Sequence, residues 1–95
     1  MAKMTGAQAI ARMLEDYGVT HIFHVPAILR RTMVELEAST SIKRVRTHGE
    51  KSAAYMADGY ARASRRPGIC MAQTVGALNL AAGLRDAWLA HSPVI

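Results

Sequence analysis

The apolar residues of this chain recur in two alternating periods, one helical and one typical of short strands. Thr5-Gly6-Ala7-Gln8 is a capping-box pattern that predicts the start of a first helix, and Gly18 predicts its C-terminal cap. The apolar positions between them fall on one face at helical spacing, which predicts that this face is buried. They are Ile10, Met13, Leu14 and Tyr17. The following "THIFHV" predicts a short strand.

The second helix and second strand follow the same logic. Pro26 is predicted to open the helix, because proline is tolerated at the first helical position. The expected buried stripe consists of Leu29, Met33 and Leu36. After a turn at Ser39-Thr40-Ser41, "SIKRVRT" alternates apolar and charged residues and predicts a strand with one partly solvated face.

The third helix is predicted to carry an unusual number of small residues. In "GEKSAAYMADGYAR" these are Ser52, Ala53, Ala54, Ala57 and Ala61, and they indicate that another element approaches the helix closely. Gly59 costs about 1 kcal/mol in a helix relative to alanine, so we expect close packing at that position as well. "ICMAQT" predicts a third strand, and "GALNLAAGLRDAWLAH" a fourth helix that buries Leu80, Leu84 and Trp88.

Helices and strands thus alternate along the whole chain, and Val94-Ile95 has the character of a fourth strand. This order predicts an α/β fold of three layers, α/β/α, in which a parallel sheet is covered by helices on both faces. A sheet that stops at a buried strand would be unfinished. The expectation is therefore that residues 1–95 are the beginning of a longer protein.

Composition limits the classes of function. The net charge is +5, but the basic residues are scattered and only five aromatic residues are present, so nucleic-acid binding is not expected. We expect neither a membrane span nor a secretory signal, and the single Cys70 suits a reducing compartment, so the expected location is the cytoplasm. No second ligand pair accompanies His21 and His24, so no metal site is predicted.

Candidate chemistry lies where the predicted strands lead into helices, because ligands of open parallel sheets bind outside the carboxyl ends of the strands. Glu50 is the carboxylate among the three junctions, which span residues 24–27, 47–50 and 73–76. An acid in the first turn of a helix can also simply stabilise the helix dipole, by about 0.3–1 kcal/mol. His24 is a polar group at a strand end that either faces a substrate or is a hydrogen-bonded structural histidine.

Several motifs resemble the amino-terminal pyrimidine-binding domain of thiamine-diphosphate-dependent enzymes of the acetolactate synthase, pyruvate oxidase and decarboxylase group. They are "HGEKSAAYMADGYAR", "PGICMA", "GALNLAAGLRDAW" and "SPVI". The resemblance extends over essentially the whole chain, and its most specific part is a glutamate followed by small residues and Met-Ala-Asp-Gly-Tyr-Ala-Arg. It implies a thiamine-diphosphate-binding fold, of which residues 1–95 are only the amino-terminal portion.

The resemblance also implies roles for individual residues. The glutamate at the position of Glu50 hydrogen-bonds a ring nitrogen of the cofactor's aminopyrimidine, and the cofactor then acts as the electron sink for a 2-keto acid. Thr74 and Asn79 are implied as pyrimidine-side neighbours, in a turn that keeps the family's Gly76 and Ala77. Pro26 matches the family's Phe-Gly-x-Pro-Gly loop, although His24 and Ala27 replace its glycines.

The implied activity is that of an acetolactate synthase-like transferase (carboligase) or a decarboxylase (lyase). The family holds the diphosphate through Mg²⁺ on a second domain with a Gly-Asp-Gly motif, which this sequence lacks. That domain would be in cis or in a partner chain, in a homodimer or homotetramer. The alternative is a non-catalytic structural or assembly module of the same ancestry, in which Glu50 is only a helix-terminal acid. A flavodoxin-like binding protein is disfavoured because no glycine-rich phosphate loop follows the first strand.

Overall fold

The computed structural model describes residues 3–26 and 29–95. Helices and strands alternate in it as the apolar pattern predicts. In chain order they are α1 (Gly6–Asp16), β1 (His21–His24), α2 (Arg30–Ser39), β2 (Lys43–Arg46), α3 (Glu50–Ser64), β3 (Ile69–Met71), α4 (Val75–Asn79) and α5 (Ala81–Leu89).

The three strands form one parallel sheet in the order β2-β1-β3. Val94 adds a parallel bridge to Gly68, and the Ile95 amide donates to the Gly68 carbonyl at 2.9 Å. The predicted fourth strand therefore begins beside β3. Helices α1 and α2 pack together on one face of the sheet, while α3 and α5 pack together on the other. The predicted α/β fold with a parallel sheet between two helical layers is confirmed.

The core is divided between the two faces of the sheet, because alternate residues of β1 point in opposite directions. Ile22 packs with residues of α1 and α2, whereas Phe23 packs with the alanines of α3. None of the helices in the described part of the chain has the length and apolar character that a transmembrane segment requires.

Helix α1 has the predicted start but a different buried face. The Thr5 hydroxyl accepts from the Gln8 amide at 3.2 Å, and the Gln8 side chain accepts from the Thr5 amide at 2.9 Å, so the capping box is confirmed. The buried residues are Ala11 and Leu14. The prediction that Ile10, Met13 and Tyr17 are buried is wrong: all three are exposed, Tyr17 to 83%. The helix places its small Ala11 in the core instead.

Helix α2 starts later than predicted. Pro26 lies in a turn, and the helix begins at Arg30 after Leu29, whose backbone is left-handed with φ 47°. The prediction that Pro26 opens this helix is therefore wrong. Ala27, which was predicted to belong to the same strand-to-helix junction, lies outside the described residues. Leu36 is buried as predicted, and Met33 is half-buried against the same core.

Four of the five small residues noted in α3 face the chain's own core, whereas Ser52 is exposed. Ala53, Ala54, Ala57 and Ala61 are all buried. Gly83 of α5 lies so close that a Cβ built there would be 2.5 Å from the Cβ of Ala54. The close approach predicted for this helix is thus confirmed, and its partners are α5 and the sheet.

Two details of the helical prediction are wrong. Gly59 is exposed, and a Cβ added there would meet nothing within 4 Å, so close packing does not explain this glycine. The predicted fourth helix is divided into α4 and α5 around Leu80, which keeps helical backbone angles. Leu80 is buried, but Leu84 is partly exposed and Trp88 is 75% exposed, because the buried positions of α5 are Gly83 and Ala87.

Candidate functional site

The register of the sheet brings the three strand-to-helix junctions to one edge. His24 is level with Arg46 of β2 and with Met71 of β3. The Thr47 amide donates to the His24 carbonyl at 2.8 Å, and the Thr47 hydroxyl donates to the His24 carbonyl at 3.2 Å and to the Gly49 carbonyl at 2.9 Å. Buried Thr47 therefore fixes the start of α3 against the end of the central strand.

Glu50 is the first residue of α3 and lies half-buried at this edge. Its Oε2 accepts a hydrogen bond from the Asn79 side-chain amide at 3.3 Å. Gly76 of α4 lies against the same carboxylate, since a Cβ at position 76 would be 2.6 Å from Glu50 Oε1. The structure therefore brings together Glu50, Gly76 and Asn79, although 26 or more positions separate the glutamate from the other two.

Space at residue 76 is a requirement of this arrangement. A Cβ at position 76 would force the Glu50 carboxylate to move from this position, because real Cβ atoms do not approach another atom to within 3.0 Å. Gly76 is itself buried. Glu50 Oε1 consequently lies beside the backbone of Gly76, and Glu50 Oε2 is held by the side-chain amide of Asn79.

The turn before α4 has a strained backbone. Thr74 has φ 51° and ψ −126°, a combination that glycine adopts readily and residues with a Cβ rarely do. The Gly76 amide donates to the Gln73 carbonyl at 3.1 Å, and the Ala77 amide donates to the Thr74 carbonyl at 3.0 Å. Thr74 is exposed and makes no side-chain capping bond. Its predicted role beside the pyrimidine stays a prediction.

His24 and Pro26 lie at the end of the central strand. His24 is only 6% exposed, and its Nδ1 is 3.1 Å from the Val25 carbonyl oxygen. Because a carbonyl only accepts hydrogen bonds, that contact places a proton on Nδ1. Nε2 is buried and has no hydrogen-bond partner within residues 3–26 and 29–95. Pro26 is half-buried in the adjacent turn. A contact of either residue with substrate or cofactor stays a prediction.

Gln73 lies in a predicted junction, but the sequence did not predict its side-chain contact. Its side-chain Oε1 accepts from the Leu29 amide at 2.7 Å and so joins the loop after β1 to the turn before α4. A glutamine that bonds a main-chain amide 44 residues away leaves no pattern in a single sequence. In the described part of the chain, no three His, Cys, Asp or Glu side chains are grouped so that they could hold a metal ion.

Comparison with known proteins bears on this geometry. The family described as "Thiamine pyrophosphate enzyme, N-terminal TPP binding domain" matches residues 4–95. A probable 2-ketoarginine decarboxylase of Pseudomonas aeruginosa is 34% identical over 93 residues, which cover 97% of this chain and 17% of that protein. A probable acetolactate synthase large subunit of Methanocaldococcus jannaschii is 38% identical over 93 residues, covering 97% of this chain and 16% of the relative.

A plant protein gives a similar result. The chloroplastic acetolactate synthase of Arabidopsis thaliana is 38% identical over 92 residues, covering 95% of this chain and 14% of that enzyme. The chain thus spans about one sixth of the length of the curated relatives that it matches. The family match extends over nearly all of the chain, and the fold is the one that the shared motifs imply. The chain therefore belongs to the thiamine pyrophosphate enzyme family, in which it corresponds to the N-terminal TPP binding domain.

Proposed function

We propose that this chain is the pyrimidine-binding part of a thiamine-diphosphate-dependent enzyme that acts on a 2-keto acid. The observation that carries the proposal is the position of Glu50. It is a half-buried carboxylate at the carboxyl edge of a parallel sheet, next to the side-chain-free Gly76 and hydrogen-bonded to Asn79. Ligands of such sheets bind at this edge.

The residues present fit an aminopyrimidine ring. Such a ring is flat and carries nitrogen acceptors and an amino donor at its rim. A protonated carboxyl group can donate to a ring nitrogen, and an ionised one can accept from the amino group. Gly76 leaves Oε1 of Glu50 uncovered by a side chain of α4, and Asn79 orients the carboxylate through Oε2. The site thus combines one oriented proton-exchanging group with a neighbouring stretch of backbone that carries no side chain at Gly76.

The cofactor, when bound, supplies a thiazolium that accepts the electrons released from the substrate carbonyl. In this proposal Glu50 holds and exchanges a proton at its carboxylate oxygen with the pyrimidine, and Asn79 fixes its direction. Thr74 and Pro26 border the ring from the two neighbouring loops, and His24 faces the substrate. The relatives include acetolactate synthases and a probable 2-ketoarginine decarboxylase by name, which supports a 2-keto acid as the substrate class.

The proposal includes groups outside residues 1–95. These residues would form the N-terminal part of the pyrimidine-binding domain, while Mg²⁺ and the diphosphate would be held by a further domain, in cis or in a partner chain. The active protein would be a homodimer or homotetramer in the cytoplasm. A transferase (carboligase) activity and a lyase (decarboxylase) activity are both compatible with Glu50 as the group that exchanges the proton.

The test uses the protein that carries these residues in its native length. Thiamine diphosphate binding is measured by calorimetry with Mg²⁺, and exchange of the cofactor's thiazolium proton with deuterium is followed by NMR. Glu50→Gln should slow this exchange and the turnover of pyruvate at least about 100-fold, the lower range for one acid–base group. Glu37→Gln is the matched control, because it changes an exposed glutamate of α2 that pairs with Arg44.

The control variant should exchange and turn over at the wild-type rate. If Glu50→Gln exchanged the thiazolium proton as fast as the wild-type protein, Glu50 would not be the activating group. A protein that binds no thiamine diphosphate would instead be a structural or assembly module of the same family.

A further inference from the structure

One side chain joins the two loops that border the candidate site. Gln73 Oε1 accepts from the Leu29 amide at 2.7 Å, across 44 residues of sequence. Leu29 ends the loop between β1 and α2, and Gln73 begins the turn between β3 and α4. We propose that Gln73 is a positioning residue, which holds Leu29 at the start of α2 against the turn that carries Thr74, Gly76 and Asn79. This inference rests on the proposed function, because its consequence is a correctly shaped place for thiamine diphosphate.

Backbone strain occurs at both ends of this hydrogen bond. Leu29 has φ 47° and ψ 42°, and Thr74, next to Gln73, has φ 51° and ψ −126°. Residues with a Cβ are disfavoured in these regions and persist there only where surrounding contacts determine the backbone. The Gln73–Leu29 bond is such a contact, since it fixes the amide of one strained residue and the neighbour of the other.

The main chain of Gln73 has a second part in the same turn. Its carbonyl accepts from the Gly76 amide at 3.1 Å, which starts α4 and so places Gly76 and Asn79 beside Glu50. The same residue therefore fixes the first loop through its side chain and the second through its backbone. Loss of the side-chain bond should loosen the two loops together, although Gln73 itself need not touch the cofactor.

Only the Oε1 acceptor of Gln73 takes part in the contact with Leu29, so two variants can separate the loss of this acceptor from the change of side chain. Gln73→Met keeps the length of the side chain but removes the strong acceptor, whereas Gln73→Glu keeps an acceptor oxygen. A carboxylate is compatible with the surroundings, because the adjoining cavity of about 530 Å³ is also lined by Arg30 and Arg31. The glutamate variant is therefore the expected rescue.

The matched control is the other glutamine of the chain. Gln8 Oε1 also accepts from a main-chain amide, that of Thr5 at 2.9 Å, but it does so at the start of α1. Gln8→Met removes the same kind of bond away from the candidate site. A merely structural role for Gln73 predicts that both methionine variants lower the melting temperature and leave cofactor binding alone.

The first measurement is the dissociation constant for thiamine diphosphate, by calorimetry of the native-length protein with Mg²⁺. Gln73→Met should weaken binding about fivefold, which corresponds to the net contribution of one hydrogen bond. Gln73→Glu and Gln8→Met should stay within about twofold of the wild-type protein, well below that effect. Equal affinities of Gln73→Met and wild type, or equal losses in the methionine and glutamate variants at position 73, would overturn the assignment.

The second measurement is amide hydrogen exchange, which needs no ligand. Gln73→Met should speed exchange both at Leu29 and across residues 74–79, whereas Gln8→Met should not affect either segment. Faster exchange at Leu29 alone would mean that the loops are not coupled. If the wild-type protein binds no thiamine diphosphate, the proposed function fails, and the exchange result still decides whether Gln73 couples the two loops.

Discussion

The contact between α3 and α5 depends on a glycine whose replacement has a calculable effect. Gly83 is the third residue of α5, which follows α4 through the helical Leu80, and an added Cβ would be 2.5 Å from the Ala54 Cβ and 3.0 Å from the Tyr55 nitrogen. Gly59 lies in the interior of α3, and its added Cβ would meet nothing within 4 Å. The methyl group added by a glycine-to-alanine substitution is therefore packed against α3 at position 83 but is open to solvent at position 59.

The two effects can be separated numerically. Alanine is favoured over glycine in a helix interior by about 1 kcal/mol, so Gly59→Ala should raise the free energy of unfolding by about 0.5–1 kcal/mol. Gly83→Ala gains the same propensity, but overpacking of a close contact costs about 1–3 kcal/mol. The net expectation for Gly83→Ala is a loss of up to about 2 kcal/mol, and the difference between the variants measures the packing cost alone.

Urea unfolding followed by far-UV circular dichroism measures this difference. The midpoints should move in opposite directions while the slopes stay equal, since neither change alters the surface exposed on unfolding. Ala54→Gly should restore room for Gly83→Ala, with a favourable coupling energy of at least about 1 kcal/mol in a double-mutant cycle. Equal midpoint shifts for Gly59→Ala and Gly83→Ala would refute the close approach of α5 to α3.

Three further predictions concern other contacts. Gly68→Ala should destabilise the protein by about 1–3 kcal/mol in the same urea assay, because its Cβ would collide with the Ala57 carbonyl. The Arg62 guanidinium, which donates to both oxygens of buried Asp58, holds the pKa of that carboxyl below its ordinary value of 3.8. The ionised Asp58 therefore stabilises the fold at pH values above its ordinary pKa, and this stabilisation is lost as the pH falls through its lowered pKa. In thermal melts between neutral and acid pH, the melting temperature of Asp58→Asn should accordingly fall less towards acid pH than that of the wild-type protein. Burial raises the pKa of the Cys70 thiol above 9.0, so the folded protein should react with a disulfide reagent at mildly alkaline pH at least about tenfold more slowly than the urea-unfolded chain. Equal rates in the two states would contradict the burial of Cys70.

The order of elements and the location of the candidate site could be predicted from the sequence. Alternating helices and strands favour a parallel sheet, and the sheet edge then brings distant junctions together whatever their separation along the chain. Glu50 and Asn79 were predicted on the family motifs, and their side chains meet at 3.3 Å. Local chemistry was also sufficient for the capping box at Thr5, because both of its hydrogen bonds are made within four residues.

The buried faces of the helices could not be predicted in the same way. An apolar-stripe argument assigns large residues to the core, but α1 and α5 place Ala11, Gly83 and Ala87 there and leave Tyr17 and Trp88 exposed. Where two backbones come very close, the smallest side chains occupy the contact. Hydropathy ranks such residues low, so its periodicity points to the wrong face.

Long-range polar contacts are the second feature that could not be predicted from the sequence. The partner of Gln73 lies in another loop, and the left-handed backbone of Leu29 moves the start of α2 beyond the position that Pro26 predicts. Propensity rules treat each segment alone. Neither the hydrogen bond nor the strain it accompanies is encoded within one segment.

The parallel register has a consequence for how related sequences can differ in length. One residue inserted into β3 would advance the following turn by about 3.3 Å and exchange the two faces of the strand, so Gly76 and Asn79 would lose their alignment with Glu50. The connections at the opposite edge, such as residues 40–42 between α2 and β2, carry no such constraint. Insertions and deletions should therefore be tolerated more readily at those connections than within the strands.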